Sequence, residues 1–322
     1  MARYMEQGGR NERRKLLYRV RARKASRIIY SLGLIEYLQT NVKEISEQKG
    51  LVFEFGEKGS GDGHLYKPQS VATSYTGDVI VADSKNRLQI FTDGGKYKRK
   101  ITFDHLDEKF VPSCVSIAKN DYNEELVYAS DINNKLILVC NPYGNVVRDI
   151  GKDHLHMPGG VVVGDDGCVN IVDVWSNTVR AFGADNELVR KFGGTGDGEG
   201  ELHQPKHMAV TKGGDLVIAD TQNCRVQVFD ATGRFLRKFG KKGKREGEFL
   251  CPNGIAVDRF GNVIVVDSVL RRVQLFTYWG RYIRRIDSGG DGLRYPEGVA
   301  VASSGAVYVA DSGCHKIKVF QY

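Results

Sequence analysis

Proline is scarce in this chain, 7 residues in 322, and tryptophan scarcer still at 2. So little proline beside 38 glycines argues for many tight turns and against a proline-rich disordered chain. Clustered cysteine is missing too. The 6 cysteines (114, 140, 168, 224, 251, 314) are scattered with no C-x-x-C pair, which excludes a disulfide framework and a zinc module. They read as reduced thiols of a cytosolic or nuclear protein, with the cytoplasm the expected location. Long apolar runs are absent as well. The longest stretch near the start, Ile28 to Leu38, is too short to span a bilayer and contains Glu36. No secretory signal and no transmembrane segment is expected.

Net charge is nearly absent from most of the chain. Residues 1–50 hold 12 Lys+Arg against 5 Asp+Glu, a net of +7 out of the +8 total, so residues 51–322 carry +1. With 41% hydrophobic residues this longer part has ample material for a core.

What the chain has is a repeat. An apolar run, an Asp, a short polar loop and a second apolar run recur six times. The copies are VIVADSKNRLQIF (79–91), VYASDINNKLILV (127–139), VNIVDVWSNTVRAF (169–182), LVIADTQNCRVQVF (216–229), VIVVDSVLRRVQLF (263–276) and VYVADSGCHKIKVF (307–320). The Asp residues fall at 83, 131, 173, 220, 267 and 311, so the period wanders between 42 and 48 residues. That length holds one four-stranded sheet, and six such sheets arranged radially make a β-propeller. Within 205–240 the spacing predicts an inner strand at 208–210, a second at 216–219, a third at 225–229 and an outer strand at 235–239. Alternation of period two is expected along them, as in half-buried strands.

The last repeat lacks an outer strand after Phe320. LVFEFGEKGSGDGHLYKP (51–68) aligns without a gap to LVRKFGGTGDGEGELHQP (188–205) and FLRKFGKKGKREGEFLCP (235–252). Leu51 to Phe55 is therefore the expected missing strand, pairing with residues 315–320 to close the ring. The domain reading is a basic helical leader over 1–50, with Leu16, Leu17, Val20, Ile28, Ile29, Leu32, Ile35 and Leu38 at near-helical spacing, and a propeller over 51–322. The leader either packs on the propeller, or is the tail of an upstream coiled coil, or is a basic arm that holds nucleic acid, a membrane surface or another acidic partner.

The pattern F-G-x-x-G-x-x-x-G-x-L-x-x-P-x-x-V-A-V followed by V-A-D-x-x-N-x-R-V-Q-V-F, clearest at 192–229 and 239–276, resembles the NHL repeat. Six such repeats resemble the C-terminal propeller of tripartite-motif NHL proteins. The resemblance implies an all-β, six-bladed NHL propeller acting as a non-catalytic recognition module. The ligand that the resemblance implies is RNA, single-stranded or stem-loop, on one loop face. The alternative is a protein partner, as in substrate recognition associated with ubiquitin ligase pathways. No Cys/His spacing here builds the family's RING and B-box modules, so ligase activity is not expected of these residues themselves. No cofactor is expected.

The six Asp residues look like a ring of carboxylates. An Asp that ends a strand accepts backbone N–H bonds in its turn, and that structural role is the expectation for all six. The residues that follow (Arg87, Lys135, Asn177, Arg225, Arg272, Lys316) read as keepers of the repeat. The seven histidines show no metal spacing, and the glycine-rich loops lack the Lys-Ser/Thr of a phosphate loop. A calcium-dependent hydrolase would need several carboxylates and amides converging on the axis, where only Asn253 and Glu297 stand.

The informative positions lead into each inner strand: Gln69-Ser70, Ser113-Cys114, Gly159-Gly160, Lys206-His207, Asn253-Gly254 and Glu297-Gly298. Lys206 suits a phosphate, while Gln69 and Asn253 have the paired donor and acceptor that read base edges. By the resemblance, contacts fall here and on the neighbouring loops between second and third strands. Those loops carry Trp175, a stacking platform or partner anchor unless it packs down on its neighbour, and Arg271, a phosphate contact. The candidate set is Gln69, Trp175, Lys206, His207, Asn253, Arg271 and Glu297. Glu297 argues against a uniformly basic face.

Overall fold

The computed structural model describes residues 50–322 apart from 105 and 107. The helical leader expected over 1–50 lies almost wholly outside the described residues. Six four-stranded antiparallel sheets follow one another along the chain, each a meander from inner to outer strand. They occupy 68–101, 112–150, 158–193, 208–239, 252–285 and 296–321, and are numbered blades one to six. Blade four runs Met208–Val210, Leu216–Asp220, Arg225–Phe229 and Phe235–Phe239, as the spacing predicts.

Blade six has three strands of its own, Pro296–Val301, Val307–Asp311 and Lys316–Gln321, and takes its fourth from Gly50–Phe55. Leu51 pairs with Phe320, Phe53 with Val319 and Phe55 with Ile317. The three aligned loops also agree in detail, each closing on one parallel bridge: Lys58 to Leu65, Thr195 to Leu202 and Lys242 to Phe249.

The expected alternation holds only on outer strands such as Tyr97–Ile101 and Leu188–Gly193. The second and third strands are buried along almost their whole length, at every residue in Val79–Asp83 and Arg87–Phe91. Each blade is covered by a neighbour on both faces, so its middle strands have no solvent side. The core is accordingly split into packets between blades. One joins Ile80, Leu88 and Ile90 of blade one to Val115, Val127 and Leu138 of blade two. Another joins Val217 and Val226 of blade four to Ile255 and Val265 of blade five.

The aromatic that ends each third strand, Phe91, Phe182, Phe229, Phe276 or Phe320, is fully buried. Each such ring contributes about 1.5–3 kcal/mol by leaving water. In blade two Cys140 stands there instead. Phe103 and Phe110, edge to face at 4.7 Å, pack in the same packet. Burial pushes the Cys140 thiol up to about 12.

Candidate recognition face

A four-stranded meander puts two kinds of loop on one face: those from second to third strand and those from one blade's outer strand to the next inner strand. The repeated Asp joins them. Asp83 accepts the Tyr66 N–H at 3.0 Å, Asp131 that of Val111 at 3.1 Å and Asp173 that of Met157 at 3.1 Å. Asp220, Asp267 and Asp311 take those of His203, Leu250 and Tyr295 at 2.8, 2.7 and 2.9 Å. All six carboxylates are fully buried.

The following Arg completes the tie. Arg225 Nε bonds Asp220 at 2.6 Å while its other nitrogens donate to the carbonyls of Asp197, Gly198 and Glu201. Arg87 and Arg272 reach the matching carbonyls of their own glycine-rich loops. Asn177 receives the Gln204 N–H at 2.6 Å, and Lys316 pairs with Glu54 on the closing strand. Lys135 departs from the pattern and is exposed. The Asp ring is thus structural, and it fixes the height of the loops that make the face.

Closer to the axis the six lead-in pairs divide their labour. The second members touch one another. Ser70 Oγ donates to Cys114 Sγ at 3.6 Å, and Cys114 Sγ lies 3.7 Å from His207 Nδ1. A Cβ on Gly254 would stand 2.3 Å from the Glu297 carbonyl oxygen, and one on Gly298 2.7 Å from Ser70 Cα. Only glycine permits those backbones to approach so closely.

The Cys114 and His207 contact has the composition of a nucleophile and base but not their charge. Burial pushes the Cys114 thiol up. Burial, and then the nearby Lys206 cation, push the His207 imidazole down to about 4. Both are neutral near pH 7, so no thiolate–imidazolium pair forms. Among the described residues no group of three or more His, Cys, Asp or Glu is placed to hold a metal ion.

The first members carry the polar chemistry. Gln69 is half-buried and its amide donates to Lys67 O at 3.1 Å and Ser84 Oγ at 3.4 Å. Lys206 and Glu297 are half-buried. Asn253 differs from the expectation of a base-edge reader. It is 3% exposed, and its Nδ2 is committed to Ser268 Oγ at 2.7 Å and Glu297 Oε2 at 2.5 Å. Burial pushes the Glu297 carboxyl up to about 7, and the Lys206 cation opposes the rise.

Around this centre lie exposed side chains. Trp175 is 75% exposed, so it does not pack down on the adjacent loop. Arg271 is exposed and takes a left-handed turn with φ 53°, as do Lys135 and His315 at the same place in their repeats. Spacing alone missed several members. Lys67, Lys85, Lys109, Lys135 and Arg294 are exposed on these loops, and Tyr295 is 46% exposed beside Glu297. Their signal lies in the register: each stands within four positions of a repeat Asp or of the residue opening an inner strand. The face is mixed farther out, where Asp62 pairs with Lys100, Glu199 with Lys238 and Glu248 with Lys241.

Residues 210–287 match a family model described as a 6-bladed beta-propeller, and residues 293–320 match the NHL repeat. The protein brain tumor of Drosophila melanogaster is 36% identical over 156 residues, which is 47% of this chain and 15% of that protein. The B-box type zinc finger protein ncl-1 of Caenorhabditis elegans is 39% identical over 151 residues, 46% of this chain and 18% of that one. The chain thus matches under a fifth of the length of these relatives. A streptogramin B lyase structure superposes with a TM-score of 0.60 over 84% of this chain and 96% of that chain, at 14% identity, a likeness of fold alone.

By class the described region is an all-β six-bladed propeller. More narrowly, residues 293–320 carry an NHL repeat, and the chain resembles the C-terminal propeller of tripartite-motif NHL proteins. Among the described residues no helix is long and apolar enough to cross a membrane.

Proposed function

We propose that the loop face binds RNA, single-stranded or in a stem-loop, and that the protein acts as an RNA-recognition module in the cytoplasm. The observation that carries this reading is the company of exposed groups on one face. Lys67, Lys85, Lys109, Lys135, Arg271 and Arg294 come from four blades and their lead-in loops, with Trp175 and Tyr295 exposed among them. Cations that meet phosphates and flat rings on which bases stack are the two requirements of single-strand binding. The propeller as a whole is near neutral, so attraction for a polyanion depends on where its cations are grouped.

Titration against a randomised RNA pool tests the reading. The expected result is a selectable RNA whose binding is weakened by combining Trp175→Ala, Lys206→Ala and Arg271→Ala. No selectable RNA, or selected RNAs that bind the triple variant as tightly, would replace RNA with a protein partner on the same face.

A further inference from the structure

Glu297 is an acid at the centre of a face ringed by cations. It is also held in place. Ser268 Oγ donates to Pro296 O at 2.7 Å and accepts from Asn253 Nδ2 at 2.7 Å, and Asn253 Nδ2 reaches Glu297 Oε2 at 2.5 Å. Of the two carboxylate oxygens it is Oε2 that takes the amide, and Asn253 Oδ1, fully enclosed, has no hydrogen-bond partner. Tyr295, two residues before, lies near enough that burial and then the Glu297 charge raise its phenol above the ordinary value. Lys206 stands near enough on the other side to stabilise the carboxylate.

A fixed carboxylate offers two acceptors in one plane and no donor when ionised. It matches a planar group with two adjacent N–H donors. Among the four RNA bases only guanine has that edge, with N1–H beside the N2 amino group. Adenine and cytosine set a donor beside an acceptor, and uracil flanks one donor with two acceptors. A desolvated carboxylate facing polyanionic RNA is costly unless such donors meet it.

We propose, resting on the RNA reading above, that Glu297 is the guanine-reading residue of this face, accepting N1–H and N2–H of one unstacked guanine. Asn253 is a positioning residue that holds the carboxylate. Tyr295 supplies the ring beside the base and Lys206 the cation for a neighbouring phosphate.

The groups facing Glu297 are Lys206 ahead of blade four, Cys251 and Asn253 ahead of blade five, and Tyr295 on its own loop. The Cys251 thiol is pushed up to about 11, by burial first and then by the Asp267 and Glu297 charges. His207, beside Lys206, stays neutral. Between about pH 6 and pH 8 Glu297 is therefore the group here that changes charge.

The test compares a labelled oligouridine with the same oligouridine carrying one central guanine, whose register is free to slide. At about pH 8 the wild-type protein should prefer the guanine-bearing strand by about tenfold, the worth of one bidentate pair. The preference should shrink towards about pH 6 as Glu297 takes up a proton, while plain oligouridine binds no more weakly. Glu297→Gln should bind oligouridine and show no preference at either pH, and Asn253→Ala should reduce the preference.

Equal binding of both strands by the wild type overturns the guanine assignment and leaves the RNA reading intact. Binding of neither strand overturns both. A preference that survives Glu297→Gln, or that does not change with pH, assigns guanine selection elsewhere. The pH profile of the wild type carries the test even if the variant fails to fold.

Discussion

Leu51 and Phe320 are antiparallel partners, and with Phe53 and Val319 they join the first described strand to the last. Phe55 extends the closure sideways, its ring 5.0 Å from that of Phe91 in blade one. A chain begun at residue 57 loses the whole strand and bares the edge of Lys316–Gln321. Its expected destabilisation relative to a chain begun at residue 50 exceeds about 3 kcal/mol, the scale of losing one buried aromatic alone. Urea unfolding of the two truncations checks this. Coincident transitions would mean that the ring does not depend on this strand.

The buried ties predict a different kind of loss. Asp220→Ala strips the partner from Arg225, whose side chain is nearly buried, and leaves the His203 N–H without its acceptor. Breaking a buried pair from one side costs about 3–5 kcal/mol. The denaturant midpoint should fall accordingly. Binding by the protein that remains folded should weaken as well, because Asp220 holds the His203 end of the loop that carries Lys206. A midpoint equal to wild type would remove the structural role assigned to these residues.

The fold was legible because its signals are local and repeated. Asp83 to Asp311 mark the same turn six times, and the match of 51–68 to 188–205 revealed the closing strand without any contact information. The burial of both faces of Val79–Asp83 was not legible, because it depends on the neighbouring blades rather than on the strand itself. At the site, the lead-in pairs stand where each chain enters an inner strand. The fate of Asn253 was hidden, since its amide is taken up by Glu297, 44 residues away and in the next blade. Composition at one position cannot report a hydrogen bond between two repeats.

Trp175 should matter for binding and not for folding. Its ring is largely in solvent, so Trp175→Ala removes little packing and should leave the melting temperature unchanged. If a base stacks there, RNA affinity falls by about 1–3 kcal/mol. Fluorescence titration with a selected RNA reads the loss, and Trp175→Phe should recover part of it. Unchanged affinity in the alanine variant would take the stacking role from this ring.

Lys206 and the leader should act through charge alone. Lys206→Ala should weaken all RNA sequences alike and lower the slope of log affinity against log salt by about 0.7, the share of one phosphate contact on a single strand. Removing residues 1–45, which carry the whole +7 of the leader, should flatten the slope further if those cations meet RNA. An unchanged slope after that truncation would assign the leader to packing or to docking of a partner instead.

Glu297 gives stability a pH dependence of predictable sign. Burial raises its carboxyl from 4.5 to about 7 in the folded protein. A raised acid favours the fold while it stays protonated, so this contribution is complete below about pH 4.5 and is lost as pH rises through about 7. Glu297→Gln keeps an oxygen for the Asn253 amide and has no charge to desolvate. The variant should therefore match the wild type near pH 4.5 and exceed it at about pH 8 by roughly 1–3 kcal/mol, the half-buried position holding the gain to that range. Melting curves of both proteins across this window isolate the effect, since all other titrating groups are shared. A difference that stays constant with pH, or that grows towards acid, would mean that the Glu297 carboxyl is not destabilised by burial and that its ionised form needs no donor to offset it.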